Sequence, residues 1–248
     1  SSLLALHRRR HARDLRRILA DYDRFVMFAE PNLDELAYFV PDYDPERIAL
    51  IPNSIESVAE TLPVKEKRIL WLGRVSEHQK RADLILPLWQ QLHTELPDWT
   101  LDVVGDGPLL PALREQATRE RLPRIDFHGR QPSGPFFKQA GIYLMTSDFE
   151  GFPNTLVEAQ SQGAVPVVMD TYPMARALVD DQVNGRLISA KDIDGLSAAV
   201  TDLCGDAARR HALAEGALEA ARRFTEPKVA QEWQALLQTL TGGKTAAA

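Results

Sequence analysis

Only one cysteine, Cys204, occurs in the 248 residues. That excludes an internal disulfide framework and any cysteine-cluster metal site. No apolar run approaches the roughly 18 residues needed to cross a bilayer, and the first residues carry no apolar signal-peptide stretch with a cleavage site. A cytoplasmic protein is the resulting expectation. A basic surplus is also missing: the net charge is −6, which argues against a general nucleic-acid binder. The histidines show no metal-ligand spacing, and no G-x-G-x-x-G dinucleotide fingerprint follows the first strong strand. What remains, 44% hydrophobic and 26% charged, is an ordinary globular balance long enough to bury a sizeable core.

The charge is unevenly placed. Residues 1–20 carry Arg8, Arg9, Arg10, Arg13, Arg16 and Arg17 against the single acid Asp14. A helix of this kind either meets an anionic lipid surface or acidic partner, or is a solvated face. Its apolar side (Leu3, Leu4, Leu6, Leu15, Ile18, Leu19) is short for a membrane anchor, which favours the solvated face.

From residue 68 onward, short apolar runs alternate with helical patterns. The runs are Arg68–Gly73, Thr100–Gly105, Ile125–Gly129, Ile142–Thr146, Val165–Met169 and Gly185–Ile188. Helices are expected at Arg81–Leu96, Leu109–Glu120, Thr155–Gln162, Ile193–Leu203, Ala207–Arg223 and Pro227–Leu240. Near-continuous apolar strands between helices predict an α/β fold, a doubly wound parallel sheet of Rossmann-like type. Residues 1–55 offer two strands, Arg24–Ala29 and Arg47–Pro52, too few to close a domain. They look like the tail of a preceding domain. Residues 56–67 look like a polar linker, 68–225 a ligand-binding domain, 226–240 a closing helix and 241–248 a small-residue tail.

Ligands of open parallel sheets bind beyond the carboxyl ends of the strands. The first such connection holds Gly73, Arg74 and Lys80, two cations suited to a diphosphate. The second, GDGP, holds Gly105 and Gly107, which permit close backbone approach. The fourth, TSDFEGFPNTLVE, holds Glu150, Gly151, Phe152, Pro153, Asn154, Thr155 and Glu158. Pro153 stands where a helix starts, and free amides there suit an anion. Glu150 and Glu158 are too far apart in sequence for a close dyad and suit different parts of one elongated ligand. His128 follows a strand and either lines the pocket or packs.

The run EGFPNTLVEAQSQGAVPVV resembles the Glu-x7-Glu signature of retaining glycosyltransferases of the large family 4 (group 1). These have the GT-B fold of two Rossmann-like halves. IPNSI, LGRVSEHQKRADLIL, VVGDGP, FHGR and DDQVNGRLI agree in order, although Ser54 stands where the family has glycine. The resemblance covers roughly residues 22–240. It implies that Glu150 contacts donor sugar hydroxyls in the reaction centre and that Glu158 holds the ribose hydroxyls. Arg74 and Lys80 would neutralise the diphosphate, the loop Gly151–Thr155 would wrap sugar and phosphates, and Arg130 would lie beside the nucleobase. It further implies a nucleotide-diphosphate sugar of UDP or GDP type as substrate, no cofactor and no metal. A glycan or lipid-linked acceptor would bind through an absent N-terminal domain. The expected function is hexosyl transfer in bacterial surface polysaccharide or lipopolysaccharide synthesis, in the cytoplasm at the inner membrane face. This chain would be the donor-binding half, inactive alone. A non-catalytic nucleotide-sugar-binding module and a GT-B-like sugar-nucleotide epimerase remain open alternatives.

Overall fold

The computed structural model describes residues 2–242, with side chains from 10 to 241. By contacts the chain divides into two units. One runs from Ile55 to Arg223; the other comprises the residues up to Ser54 together with those from Phe224 onward.

The smaller unit contains helix α1 (Ser2–Asp21), strand β1 (Phe25–Met27), helix α2 (Pro31–Phe39) and strand β2 (Ile48–Leu50). β1 and β2 form a parallel pair with Phe25 opposite Ile48. Leu19, Leu36 and Val40 make its buried centre, flanked by Leu15, Phe25, Met27 and Phe39. Arg47 donates to the Leu19 carbonyl at 2.8 Å, satisfying an orphan acceptor at the end of α1. Several α1 arginines are paired with acids: Arg16 with Asp42 and Arg17 with Asp21. Among the described residues, no helix is long and apolar enough to cross a membrane.

The larger unit is built on β3 (Glu66–Leu72), α3 (Ile85–Leu92), β4 (Thr100–Val104), α4 (Leu110–Arg119), β5 (Ile125–Gly129), α5 (Gly134–Gln139), β6 (Ala140–Met145), α6 (Asn154–Ser161), β7 (Val165–Asp170), α7 (Pro173–Leu178), β8 (Arg186–Ser189), α8 (Ile193–Gly205) and α9 (Ala207–Ala221). The last helix, α10 (Glu226–Gly242), groups with the smaller unit. The six strands pair in the order β5-β4-β3-β6-β7-β8, all parallel. Every residue of β6 is buried, as is every residue of β7 but its last, so these strands read as unbroken apolar runs. One face packs Ile69, Trp71, Leu101, Val103, Ile142 and Leu144 against α3, α4, α8 and α9. Asp192 and Asp206 cap α8 and α9 by accepting from the Gly195 and Arg209 amides.

This order reverses direction between β3 and β6. Chain progress runs outward through β4 and β5 on one side and through β7 and β8 on the other. Open parallel sheets bind their ligands at such a reversal, so the loops leaving β3 and β6 are where a site is expected.

Three local differences from the sequence expectation have physical causes. The segment 56–67 is tied to the larger unit rather than free: the Ala59 amide bonds Ser161 O at 2.9 Å, Leu62 packs on the core, and Lys65 donates to the Phe137 and Lys138 carbonyls. Burial pulls the Lys65 ammonium pKa down to about 7. The helix expected at Arg81–Leu96 starts with a 3-10 turn at Ala82–Leu84 and ends at Leu92. Finally, α5 and α7 are six-residue helices opened by prolines, too short to show a period.

Candidate functional site

The loops leaving β3 and β6 meet at the switch point and are joined there. The Asp148 amide bonds Gln79 O at 2.8 Å. Thr146, buried at the end of β6, accepts from Trp71 Nε1 at 2.9 Å and donates to Lys80 O at 2.8 Å. Lys80 Nζ lies 2.6 Å from Glu150 Oε1, with the side chains 17% and 8% exposed. Gln79 Nε2 adds longer contacts, 3.3 Å to Phe149 O and 3.4 Å to Glu150 Oε2. The two residues singled out in these loops thus form one largely buried ion pair. The stem of Lys80 runs along Gly73, where an added Cβ would sit 3.3 Å from Lys80 Cδ.

Beside this pair lies a cleft of about 320 Å³ lined by Gly73, Arg74, Gly105, Asp106, Arg130 and Gln131. Arg74 and Arg130 are exposed. Among the described residues, neither guanidinium group has a hydrogen-bond or ion-pair partner. Two free guanidinium groups at one cleft make a site for a multiply charged anion.

The glycines of GDGP permit a close backbone approach. Gly105 has φ 136°, and a Cβ there would fall 1.8 Å from Gly73 O; at Gly107 it would fall 2.3 Å from Val75 O. The close approach the structure shows is that of the β3 loop, and Gly105 also lines the cleft. Hydrogen bonds from Gly73 N to Val104 O and from Val75 N to Asp106 O bind the two loops together.

The start of α6 also differs from expectation. The Asn154 amide bonds Phe152 O and the Leu156 amide bonds Pro153 O, so two of the first three helical amides are already engaged. Phe152 and Pro153 are buried, Gly151 and Asn154 are exposed, and the Thr155 hydroxyl accepts from Tyr143 OH at 2.9 Å. Glu158, in the second turn, accepts a long hydrogen bond (3.4 Å) from Ser133 in the loop after β5. Burial raises its pKa against that stabilising contact. Tyr143, fully buried beneath, has a phenol pKa raised first by burial and then by the charges of both Glu150 and Glu158. The two acids therefore act on one locale while being held by different loops.

His128 lies outside this arrangement. Its Nε2 is 2.7 Å from the buried Asp102, which also takes two bonds from Arg68 Nη1, and its ring meets Phe136 edge-on at 4.8 Å. Ligand atoms of Asp102, Asp126 and His128 fall within 4.8 Å of one another, a grouping that sequence spacing did not reveal. Asp102 is already committed to Arg68, and this cluster fits a structural ion-pair network. Sequence reasoning missed Gln79, Thr146, Tyr143 and Ser133. A tyrosine inside an otherwise aliphatic strand was the one available signal, since a buried phenol requires a partner.

A glycosyltransferase of Haemophilus influenzae, otherwise uncharacterised, is 24% identical over 188 residues, which is 75% of this chain and 53% of that protein. The lipopolysaccharide 1,6-galactosyltransferase of Salmonella typhimurium is 28% identical over 179 residues, 68% of this chain and 49% of that protein. Among solved structures, the pneumococcal O-GlcNAc transferase GtfA, in complex with UDP and GlcNAc, superposes with a TM-score of 0.78 at 22% identity. That match covers 88% of this chain and 45% of the other. At such identity the likeness establishes the fold, a Rossmann-like half of the GT-B architecture. The chain spans about half the length of these curated relatives. Residues 66–206 match the family described as "Glycosyl transferases group 1", and the chain belongs to that family.

Proposed function

We propose that this chain is the donor-binding half of a retaining glycosyltransferase of family 4, which moves a hexosyl group from a nucleoside-diphosphate sugar to an acceptor. The observation that carries this reading is the switch-point pair Lys80–Glu150 beside a cleft with two unpaired arginines. In this reading Arg74 and Lys80 hold the diphosphate and Glu150 meets the sugar hydroxyls. Glu158 accepts from the ribose hydroxyls, and Arg130 with Gln131 flanks the nucleobase. The loop Gly151–Thr155 closes around sugar and phosphates.

Cleaving the anomeric C–O bond leaves negative charge on the departing diphosphate. Fixed cations stabilise that charge more in the transition state than in the ground state, which is the condition for catalysis. Two cations do this without a metal ion, so none is required. The UDP bound by the pneumococcal neighbour and the lipopolysaccharide role in the Salmonella relative's name support a UDP- or GDP-sugar donor and a bacterial surface-glycan acceptor. The acceptor is held by the remaining, N-terminal portion of the full-length protein at the inner membrane face. The chain alone binds donor without transferring it.

Calorimetry with a panel of nucleoside diphosphates and their sugar conjugates tests the reading. Binding of a UDP or GDP species by the folded chain is expected. A folded sample that binds none of them, or that transfers sugar efficiently by itself, overturns it.

A further inference from the structure

Arg81, directly after Lys80, has a left-handed backbone at φ 51°, ψ 46°. A non-glycine residue stays there only when its surroundings over-determine it. Here they consist of two carboxylates on two different loops. Arg81 Nε and Nη2 bond Asp83 at 3.0–3.2 Å, fixing the guanidinium over its own turn. Its Nη1 reaches across to Asp148 in the β6 loop, at 3.2 and 3.4 Å. The side chain is partly buried and its planar fork is used in both directions.

The neighbouring links are weaker alone. Gln79 O accepts from the Asp148 amide, Thr146 bonds Lys80 O, and Gln79 Nε2 makes a 3.3 Å contact to Phe149 O. Arg81–Asp148 is the charged member of this series and lies one residue from Lys80 and two from Glu150. Glycine would satisfy the backbone at this position without strain, so the arginine side chain is what distinguishes the site.

We propose that Arg81 and Asp148 are positioning residues which lock the β3 loop to the β6 loop and thereby hold Lys80 and Glu150 face to face. The locking stands on geometry alone; its consequence for donor binding rests on the function proposed above.

Arg81→Gly separates positioning from mere stability, because glycine removes the clamp and the backbone strain together. The unfolding midpoint is expected to hold or rise, while exchange of the Asp148 amide, followed by NMR, accelerates about tenfold for loss of a charge-assisted tie. Affinity for a nucleoside-diphosphate sugar, which must meet Lys80 through its diphosphate and Glu150 through its sugar at once, falls by about tenfold. Asp148→Asn, which leaves the Arg81 backbone untouched, is expected to reproduce both effects, and Arg81→Lys, which keeps the charge, to restore part of each. An Asp148 amide as protected in Arg81→Gly as in the parent overturns the proposal. So does faster exchange that merely follows a loss of global stability shared by both variants. If the parent chain binds no nucleoside diphosphate, the donor reading fails, and the exchange result still decides the clamp.

Discussion

Replacing Glu150 with glutamine probes the site most directly, because it leaves shape almost unchanged and removes one charge. The Lys80–Glu150 contact is 2.6 Å, and the carboxylate is 8% exposed. Breaking a buried pair by removing one partner costs about 3–5 kcal/mol. Lys80 keeps 17% exposure, so water recovers part of the loss and the cost should lie at the low end, about 3 kcal/mol. Denaturant unfolding of the free protein reads this number. Ligand binding should move the opposite way. In the parent, an incoming diphosphate must compete with Glu150 for the ammonium; in Glu150→Gln that competitor is gone. Recovering even half the cost, about 1.5 kcal/mol, is roughly tenfold in Kd. The variant should therefore be less stable alone and bind a nucleoside diphosphate more tightly, with a larger ligand-induced rise in Tm. The sugar conjugate should gain less than the bare nucleotide, because a sugar contact is lost. Unchanged or weaker diphosphate binding in a folded Glu150→Gln sample would refute the idea that Lys80 is the diphosphate cation.

Glu158→Gln should act with the opposite sign on stability. Burial raises the carboxyl pKa above its unfolded value, so the ionised form destabilises the fold at neutral pH, and this penalty fades as pH falls through the raised folded-state value and is gone once the ordinary carboxylate range is passed. The variant should be more stable than the parent near pH 7, with the two urea midpoints converging under mild acid, while nucleotide binding weakens. Arg74→Ala, at an exposed and unpaired position, should shift stability by no more than about 0.5 kcal/mol yet lower diphosphate affinity about tenfold by calorimetry. Gly105→Ala should cost more than about 3 kcal/mol or prevent soluble expression, since its Cβ would overlap Gly73 O in a left-handed backbone. Gly134→Ala, with nothing within 4 Å of the new Cβ, should be tolerated in the same expression trial.

The sheet was legible because β6 and β7 are near-continuous apolar runs and β3 and β4 carry shorter ones, as burial on both faces demands. Strand order follows from crossover handedness and short connections, which sequence spacing implies without displaying. Helices shorter than two turns, such as α5 and α7, leave no period to detect. The segment 56–67 looks polar because a single leucine, Leu62, and a lysine bound to carbonyls tie it down. In the site, Lys80 and Glu150 could each be found from their place after a strand. Their pairing across 70 residues could not, since it depends on β3 and β6 being neighbours. The left-handed turn at Arg81 was hidden because the run KRADLIL carries a good helical pattern. The glycines of GDGP mark a close backbone approach, but that the approaching backbone is the β3 loop depends on β3 and β4 being neighbours.

The packing of Gly105 against Gly73 gives the cleft a floor of main chain, and Arg74, Arg130 and Gln131 give it a rim of side chains. Such a division separates two kinds of evolutionary freedom. Changes at the rim, at Arg74, Arg130 or Gln131, can retune which molecule is accepted without disturbing the scaffold. Changes in the floor have almost nowhere to go. Variation among descendants of this chain should therefore gather on the rim, and new preferences can arise there by single steps.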